Sequence, residues 1–275
     1  MLEISSFQAR DLQIAPSIVA LTSLGSDHLD WHGSLENYHR DKISITQLVP
    51  APEIFHASQI QSAVLGEVAV EVEPETSGLT ESLGLLGLHN HSNVALALSV
   101  VSRATGKSVQ EIVTKVKARA DEFTPLPGRL TEVAREERAG IITRYIDDGL
   151  ATSALPTIAA LSVFPDGDLA MIIGGFDRGI DYQPLIDAIA SRSARTVVVT
   201  MGEAGSRIGA LMHNSNHDLQ LMHASDLRSA VELARSAMNK GGVVLFSPGA
   251  PSFDHFKNWA ERSAAFTKYA KSFGK

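Results

Sequence analysis

The 275-residue chain contains no cysteine, which excludes both a disulfide framework and a thiolate zinc site. It has no basic block either. With Lys and Arg numbering 24 against 31 Asp and Glu, the formal net charge of −7 argues against nucleic acid as a partner. Long hydrophobic runs are missing too: the most apolar segments are short and broken by glycine or charge, so none is expected to span a membrane. Met1-Leu2-Glu3-Ile4 lacks the basic and then apolar profile of a signal peptide. A cytoplasmic location is the expectation. Two phosphate-binding signatures are absent as well. No G-x-x-x-x-G-K-[ST] occurs anywhere, and no G-x-G-x-x-G follows the first strand of the C-terminal half, which weighs against an NAD enzyme.

What is present is enough apolar material, 44% of the residues, for two packed cores. Pro16 to Leu24 is apolar, β-branched and bounded by a turn signal, so it reads as a buried strand. The stretch from Ser26 to Ser34 follows it, with His28 at the place where ligands gather in α/β proteins. Ser34 caps a helix on which Leu35, Tyr38, Lys42 and Ile45 fall at spacings of three, four and three. Lys42 is thereby expected on a buried stripe. A lysine on an apolar face loses hydration that supports its charge. Its amine could attack a carbonyl, or take up carbon dioxide to become a carbamate that ligates metal beside His28. The plainer reading is a stem laid along the core with its head in water.

The segment Met1 to Phe7 reads as the end of a strand, with Glu3 where a carboxylate could meet magnesium or could equally be a surface charge. Val64 to Val72 is strand-like but interrupted by acidic residues. Leu83 to Leu88 runs into His89-Asn90-His91-Ser92-Asn93 and a helix from Val94 to Ser102, at whose start asparagines commonly act as caps. A helix over Ser108 to Phe123 leads to Pro125-Leu126-Pro127-Gly128-Arg129, a hinge-like connector that divides the chain into residues 1–125 and 126–275.

Beyond the hinge, strands near Ile141–Ile146, Leu169–Ile173, Thr196–Thr200, Leu219–His223 and Val243–Phe246 alternate with helices near Pro156–Phe164, Tyr182–Arg192, Ser206–Met212, Asp226–Met238 and Ser252–Lys271. Strict alternation implies an α/β, Rossmann-like domain with a mostly parallel sheet covered on both faces. Three loops at strand carboxyl ends are then expected to share one crevice. They are Asp147 to Ser153, Gly174 to Gly179 and Ser247 to Phe253. Glycine and aspartate in such loops are also ordinary turn chemistry. Arg178 is harder to explain that way, because a guanidinium suits bidentate capture of a carboxylate.

Four ordered stretches carry a resemblance that covers nearly the whole chain. Leu2-Glu3-Ile4-Ser5-Ser6-Phe7-Gln8, Asp27 to Tyr38 with Lys42, Gly87 to Asn93, and Ser247 to Asp254 resemble the motifs of the Mur ligases, ATP-dependent amino-acid-adding enzymes of peptidoglycan synthesis. The Ser-Ser-Phe-Gln and serine-proline stretches look most like the glutamate-adding members. The resemblance implies the C-terminal part of a central ATP-binding domain over residues 1–125 and a Rossmann-like, glutamate-binding domain over 126–275. The implied substrates are UDP-N-acetylmuramoyl-L-alanine and glutamate, joined through an acyl phosphate with ATP and Mg2+. Glu3, His28 and carbamylated Lys42 would hold metal, with His28 and Lys42 serving catalysis. Asn90, Asn93, Arg129 and Asp148 would engage ATP, while Ser5, Thr152, Arg178, Ser252, Phe253 and Trp259 would contact substrate. In the family a phosphate-binding glycine loop lies upstream of the Ser-Ser-Phe-Gln motif. This sequence looks like the downstream part of such a ligase, without the N-terminal domain and that loop, and is expected to be inactive alone.

Departures from the family pattern bear on stereochemistry. Leu150 stands where the common pattern has lysine, and Arg178 replaces the lysine of the glycine-glycine loop. Both changes look more like the variant that adds L-glutamate. Two other classes stay open at the level of sequence: a non-catalytic binding module, and an amide ligase of the folylpolyglutamate type.

Overall fold

The computed structural model describes all residues except 26–27, 59, 61–64, 66–68, 215–219, 254 and 274–275. It divides into two compact units, one formed by Met1–Gly84 with Leu88–Thr124, the other by Leu85–Gly87 with Pro125–Lys275. Among the described residues no helix is long and apolar enough to cross a membrane.

The first unit is built on a three-stranded parallel sheet of β1 (Ile18–Leu21), β2 (Glu53–Ala57) and β3 (Val70–Val72), in that order. Ile18 pairs with Glu53 and Phe55 with Val70. Of the strand-like stretch read from Val64, residues 64 and 66–68 lie outside the described set. The helices are α1 (Ser6–Asp11), α2 (Leu29–His32), α3 (Leu35–Ile43), α4 (Leu79–Ser82), α5 (Leu88–Thr105) and α6 (Val109–Lys117). Ala9, Val19, Leu21, Ile45, Ile54 and Ile60 make the core.

Three expectations are corrected here. Met1 to Phe7 is not the end of a strand: Ser5 and Gln8 form a reciprocal capping box, and the chain enters α1 at Ser6. The asparagines do not precede their helix, since α5 already begins at Leu88 and places Asn90 and Asn93 in its first turns. The buried face of α3 is carried by Tyr38 and Asp41, whereas Leu35 is 45% exposed. The helix is therefore rotated from the stripe read by spacing alone.

The second unit holds a six-stranded sheet of β4 (Thr131–Arg138), β5 (Ile141–Asp147), β6 (Leu169–Gly174), β7 (Thr196–Met201), β8 (Gln220–His223) and β9 (Gly242–Phe246). Its order is β4-β5-β9-β6-β7-β8; β4 is antiparallel to β5 and the other pairings are parallel. Every residue of β6 is buried, as a central strand covered on both sides requires. Helices α7 (Ala154–Ser162), α8 (Gln183–Ala190) and α9 (Gly202–Asn214) pack on one face through Leu161, Leu185, Ile189 and Ile208 against Met171, Ile173 and Val198. On the other face α10 (Leu227–Ala237) and α11 (Trp259–Lys271) bring Val231, Ala234 and Phe266 to Ile172, Val199 and Phe246. The final helix begins at Trp259 behind an Asn258 cap rather than at Ser252, which leaves Ser252 on the loop after β9. Because β9 lies between β5 and β6, with α7 on one face and α11 on the other, the carboxyl ends of these strands form a switch point of the kind where open α/β sheets bind ligands.

Candidate functional site

Two neighbouring buried carboxylates lie at the carboxyl end of β5, at this switch point. Asp147 accepts hydrogen bonds from the Gly149 amide (3.0 Å) and the Ser263 hydroxyl (3.1 Å). Asp148 accepts from the Ser247 hydroxyl at 2.7 Å. Burial pushes Asp147 up to about 6 and Asp148 up to about 7, despite these bonds and the nearby arginines, Arg262 for Asp147 and Arg129 for Asp148. Gly149 is required at its place, since a Cβ there would stand 2.0 Å from the Ser263 hydroxyl.

The raised values give a stability signature. The native state holds these protons where the unfolded chain has already lost them, so stability declines as pH rises from about 4 toward 7 and is level above that. Asp148→Asn, which still accepts from Ser247, should melt higher than the parent at pH 8. Its advantage should vanish near pH 4. Thermal denaturation at both pH values checks this, and an advantage that grows on acidification would contradict it.

The loop after β6 is laced to the loop after β9: the Gly174 amide donates to the Pro248 carbonyl (2.7 Å) and the Phe176 amide to the Pro251 carbonyl (3.0 Å). Gly174 has φ 117°, and a Cβ on it would lie 2.0 Å from the Met201 carbonyl oxygen. Arg178 is exposed on this loop, and its guanidinium donates to the Thr152 carbonyl at 3.4 Å. The structure thus brings Arg178 to Thr152, and Asp148 to Ser247, linking the three loops read from sequence in two pairs. Ser252 is buried on the third, Phe253 is 66% exposed, and Trp259 is half-buried. Asp254 lies outside the described residues. Arg129 is exposed, while its neighbour Leu130 donates a backbone bond to Asp148 and so ties the proline-rich connector to the crevice.

Two residues at this end of the sheet, Arg262 and Ser263, were not read from sequence. Arg262 is fully buried and donates to the carbonyls of Pro251 (3.0 Å), Ala250 (2.9 Å) and Gly149 (3.2 Å). Ser263, the next residue of α11, donates to Asp147 at 3.1 Å. Their signal lies in partners across the chain, such as the Arg262 to Gly149 bond spanning 113 residues, which no local pattern shows.

In the first unit, Glu3 and Ser5 are exposed, with Ser5 committed to capping α1. His28 has φ 52° and meets the Phe7 ring edge-on at 5.0 Å. Asp27 lies outside the described residues. Lys42 is half-buried, donating to the Tyr38 hydroxyl at 3.2 Å with its nitrogen 5.3 Å from that ring's centre. Beside it runs a buried chain that spacing did not show. Ser6 is bonded to Nε2 of His32 at 3.0 Å, and Nδ1 of His32 to Asp41 at 2.8 Å. The Asn93 amide donates to the Asn90 side-chain oxygen at 3.3 Å. Among the described residues no three His, Cys, Asp or Glu side chains stand close enough to hold a metal. A carbamate on Lys42 would add an oxygen donor of the kind Mg2+ prefers.

Residues 1–71 match the Mur ligase middle domain. Over 98% of its length the chain is 32% identical to the UDP-N-acetylmuramoyl-L-alanine--L-glutamate ligase of Salinispora tropica, covering 63% of that protein. It is also 32% identical to the enzyme of the same name from Xanthomonas euvesicatoria, of which it covers 61%. The chain therefore spans about three fifths of these relatives' length. Among solved structures, the UDP-N-acetylmuramate-alanine ligase of Thermotoga maritima superposes with a TM-score of 0.64 at 16% identity, covering 98% of this chain and 62% of that one. A bifunctional folylpolyglutamate/dihydrofolate synthase from Yersinia pestis gives 0.57 at 17% identity, over 92% of this chain and 62% of its own.

Proposed function

We propose that the chain, whose residues 1–71 match the Mur ligase middle domain, is the amino-acid-adding part of a cytoplasmic, ATP-dependent Mur ligase that joins L-glutamate to UDP-N-acetylmuramoyl-L-alanine in peptidoglycan synthesis. The observation that carries the reading is the contact of Arg178, on the loop after β6, with Thr152, on the loop after β5 that also holds Asp148, across the intervening strand β9. Fold likeness alone does not choose between this and a folylpolyglutamate-type reaction. The similarity in sequence to the L-glutamate ligases, together with Leu150 and Arg178, favours L-glutamate over other substrates.

The reaction has two steps. The alanyl carboxylate takes the γ-phosphoryl group, and the glutamate amine then attacks the acyl phosphate, expelling phosphate from a tetrahedral intermediate. Catalysis of this type rests on positioning and on neutralising phosphate charge. Arg178 would take a glutamate carboxylate, with Thr152, Ser252, Phe253 and Trp259 around the rest of the amino acid and Ser5 toward the nucleotide-sugar substrate. Asp148, Arg129, Asn90 and Asn93 would bind ATP. Glu3, His28 and carbamylated Lys42 would hold Mg2+, which supplies positive charge against the phosphates. The phosphate cradle is not in this sequence, and in our reading chain outside these 275 residues supplies it.

Two assays test this. The 275-residue chain given ATP, Mg2+, UDP-N-acetylmuramoyl-L-alanine and either glutamate isomer should release no phosphate coupled to product, because a phosphate loop supplies much of the γ-phosphate stabilisation in enzymes that use one. Coupled turnover would overturn the division of labour. The complete ligase should prefer L-glutamate, since an isomer that misplaces its carboxylate forfeits the bidentate contact to Arg178. A preference for D-glutamate would refute the substrate assignment.

A further inference from the structure

The loop that carries Arg178, from Gly175 to Tyr182, has no regular secondary structure of its own, yet it is held from a distance by one side chain. Arg207, on α9, donates from Nε and Nη2 to the two carboxylate oxygens of Asp177 at 2.6 and 2.8 Å. The same Nη2 reaches the Ile180 carbonyl at 2.7 Å. The guanidinium also lies over the Tyr182 ring, 4.7 Å from its centre. Tyr182 is fully buried, and its hydroxyl donates to the Gly249 carbonyl at 3.2 Å. Arg207 therefore grips three points of the loop and, through Tyr182, is connected to the loop after β9.

Chemistry adds a second consequence. Asp177 precedes Arg178, and an unneutralised carboxylate beside an anion-binding arginine both repels an incoming dicarboxylate and competes for the guanidinium. The bidentate bond to Arg207 engages both Asp177 oxygens and holds that carboxyl below its usual range. We infer that Arg207 is a positioning residue for glutamate recognition, shaping the loop that bears Arg178 and withholding the Asp177 carboxylate from the anion site. This inference rests on the assignment of Arg178 to a glutamate carboxylate.

The test is titration of L-glutamate into the full 275-residue chain, followed by NMR, for the parent and for Arg178→Ala, Arg207→Gln, Arg207→Lys and the double variant Asp177→Asn/Arg207→Gln. Melting temperatures are read alongside. Arg207→Gln should weaken binding about tenfold with little change in melting, as suits a half-exposed ion pair. Arg207→Lys, which keeps the charge without the fork, should fall between, and it carries the test if the glutamine variant does not fold. The double variant should recover much of the lost affinity, because the unneutralised carboxylate is gone; plain loop disorder predicts no recovery. If Arg178→Ala weakens binding while Arg207→Gln does not, or if the double variant stays as weak as Arg207→Gln, the inference is wrong and the glutamate assignment stands. If the parent takes no glutamate, or Arg178→Ala binds as the parent does, the assignment itself fails and the inference falls with it.

Discussion

Arg262→Ala should destabilise the C-terminal unit by roughly 3–5 kcal/mol, the largest effect on folding of any single change considered. Arg262 is fully buried in α11, which reads locally as a surface helix. Its guanidinium supplies donors to three carbonyls, those of Pro251, Ala250 and Gly149, and lies 5.8 Å from the centre of the Phe246 ring. Truncation strips these carbonyls of a charged donor in a place water does not reach, and leaves a cavity as well. Each such bond is stronger than a neutral one, and each acceptor left bare costs about 1–3 kcal/mol. Arg262→Met would refill the volume without the donors, so the difference between the two variants separates packing from hydrogen bonding. Urea unfolding followed by circular dichroism measures both. A loss below about 1 kcal/mol for the alanine variant would mean that backbone rearrangement or water replaces the guanidinium at little cost.

Arg262 also marks where reading the sequence reaches its limit. The alternation of buried strands and amphipathic helices in the C-terminal half is a local property, and the parallel sheet follows from it. The three strand-end loops were legible for the same reason, including Asp148, Thr152 and Arg178. Strand β4 was not, because Thr131 to Arg138 carries five charges and only Glu136 is buried. It is stabilised from outside its own pattern, by the antiparallel ladder to β5 and by a fork from Arg235 onto Glu136 at 2.8 and 2.7 Å. The orientation of α3 was misread by the same logic. Spacing treats Asp41 as solvent-facing, whereas a hydrogen bond from His32, itself bonded to Ser6, makes its burial acceptable. Polar partners far apart in sequence decide such positions, and hydrophobic periodicity carries no trace of them.

That misreading moves Lys42 without removing its interest, and Lys42→Ala in the complete ligase should lower turnover by about two to three orders of magnitude, the scale of losing one group that stabilises developing charge. The lysine is half-buried rather than set in the apolar stripe, with its amine against the Tyr38 hydroxyl at 3.2 Å. Its helix is fastened to α1 by the Ser6–His32–Asp41 chain and by the Ser44 hydroxyl, which donates to the Ala9 carbonyl at 2.9 Å. The backbone that presents Lys42 is thus fixed relative to the one that presents Ser5. A lysine whose only task were to cover the core edge would, on truncation, cost a little stability and no chemistry. One that carries a carbamate places a carboxylate at the end of a long stem, and a small free carboxylate such as acetate can occupy the space its removal opens. Partial return of activity with added acetate or propionate is therefore the expected result for Lys42→Ala, with little effect of either on the parent. Labelled bicarbonate gives an independent readout, since a carbon signal from the lysine carbamate should appear in the parent and be absent in the variant. Full activity in Lys42→Ala, or loss of activity that no small carboxylate relieves together with no carbamate signal in the parent, would refute the proposed metal role of Lys42.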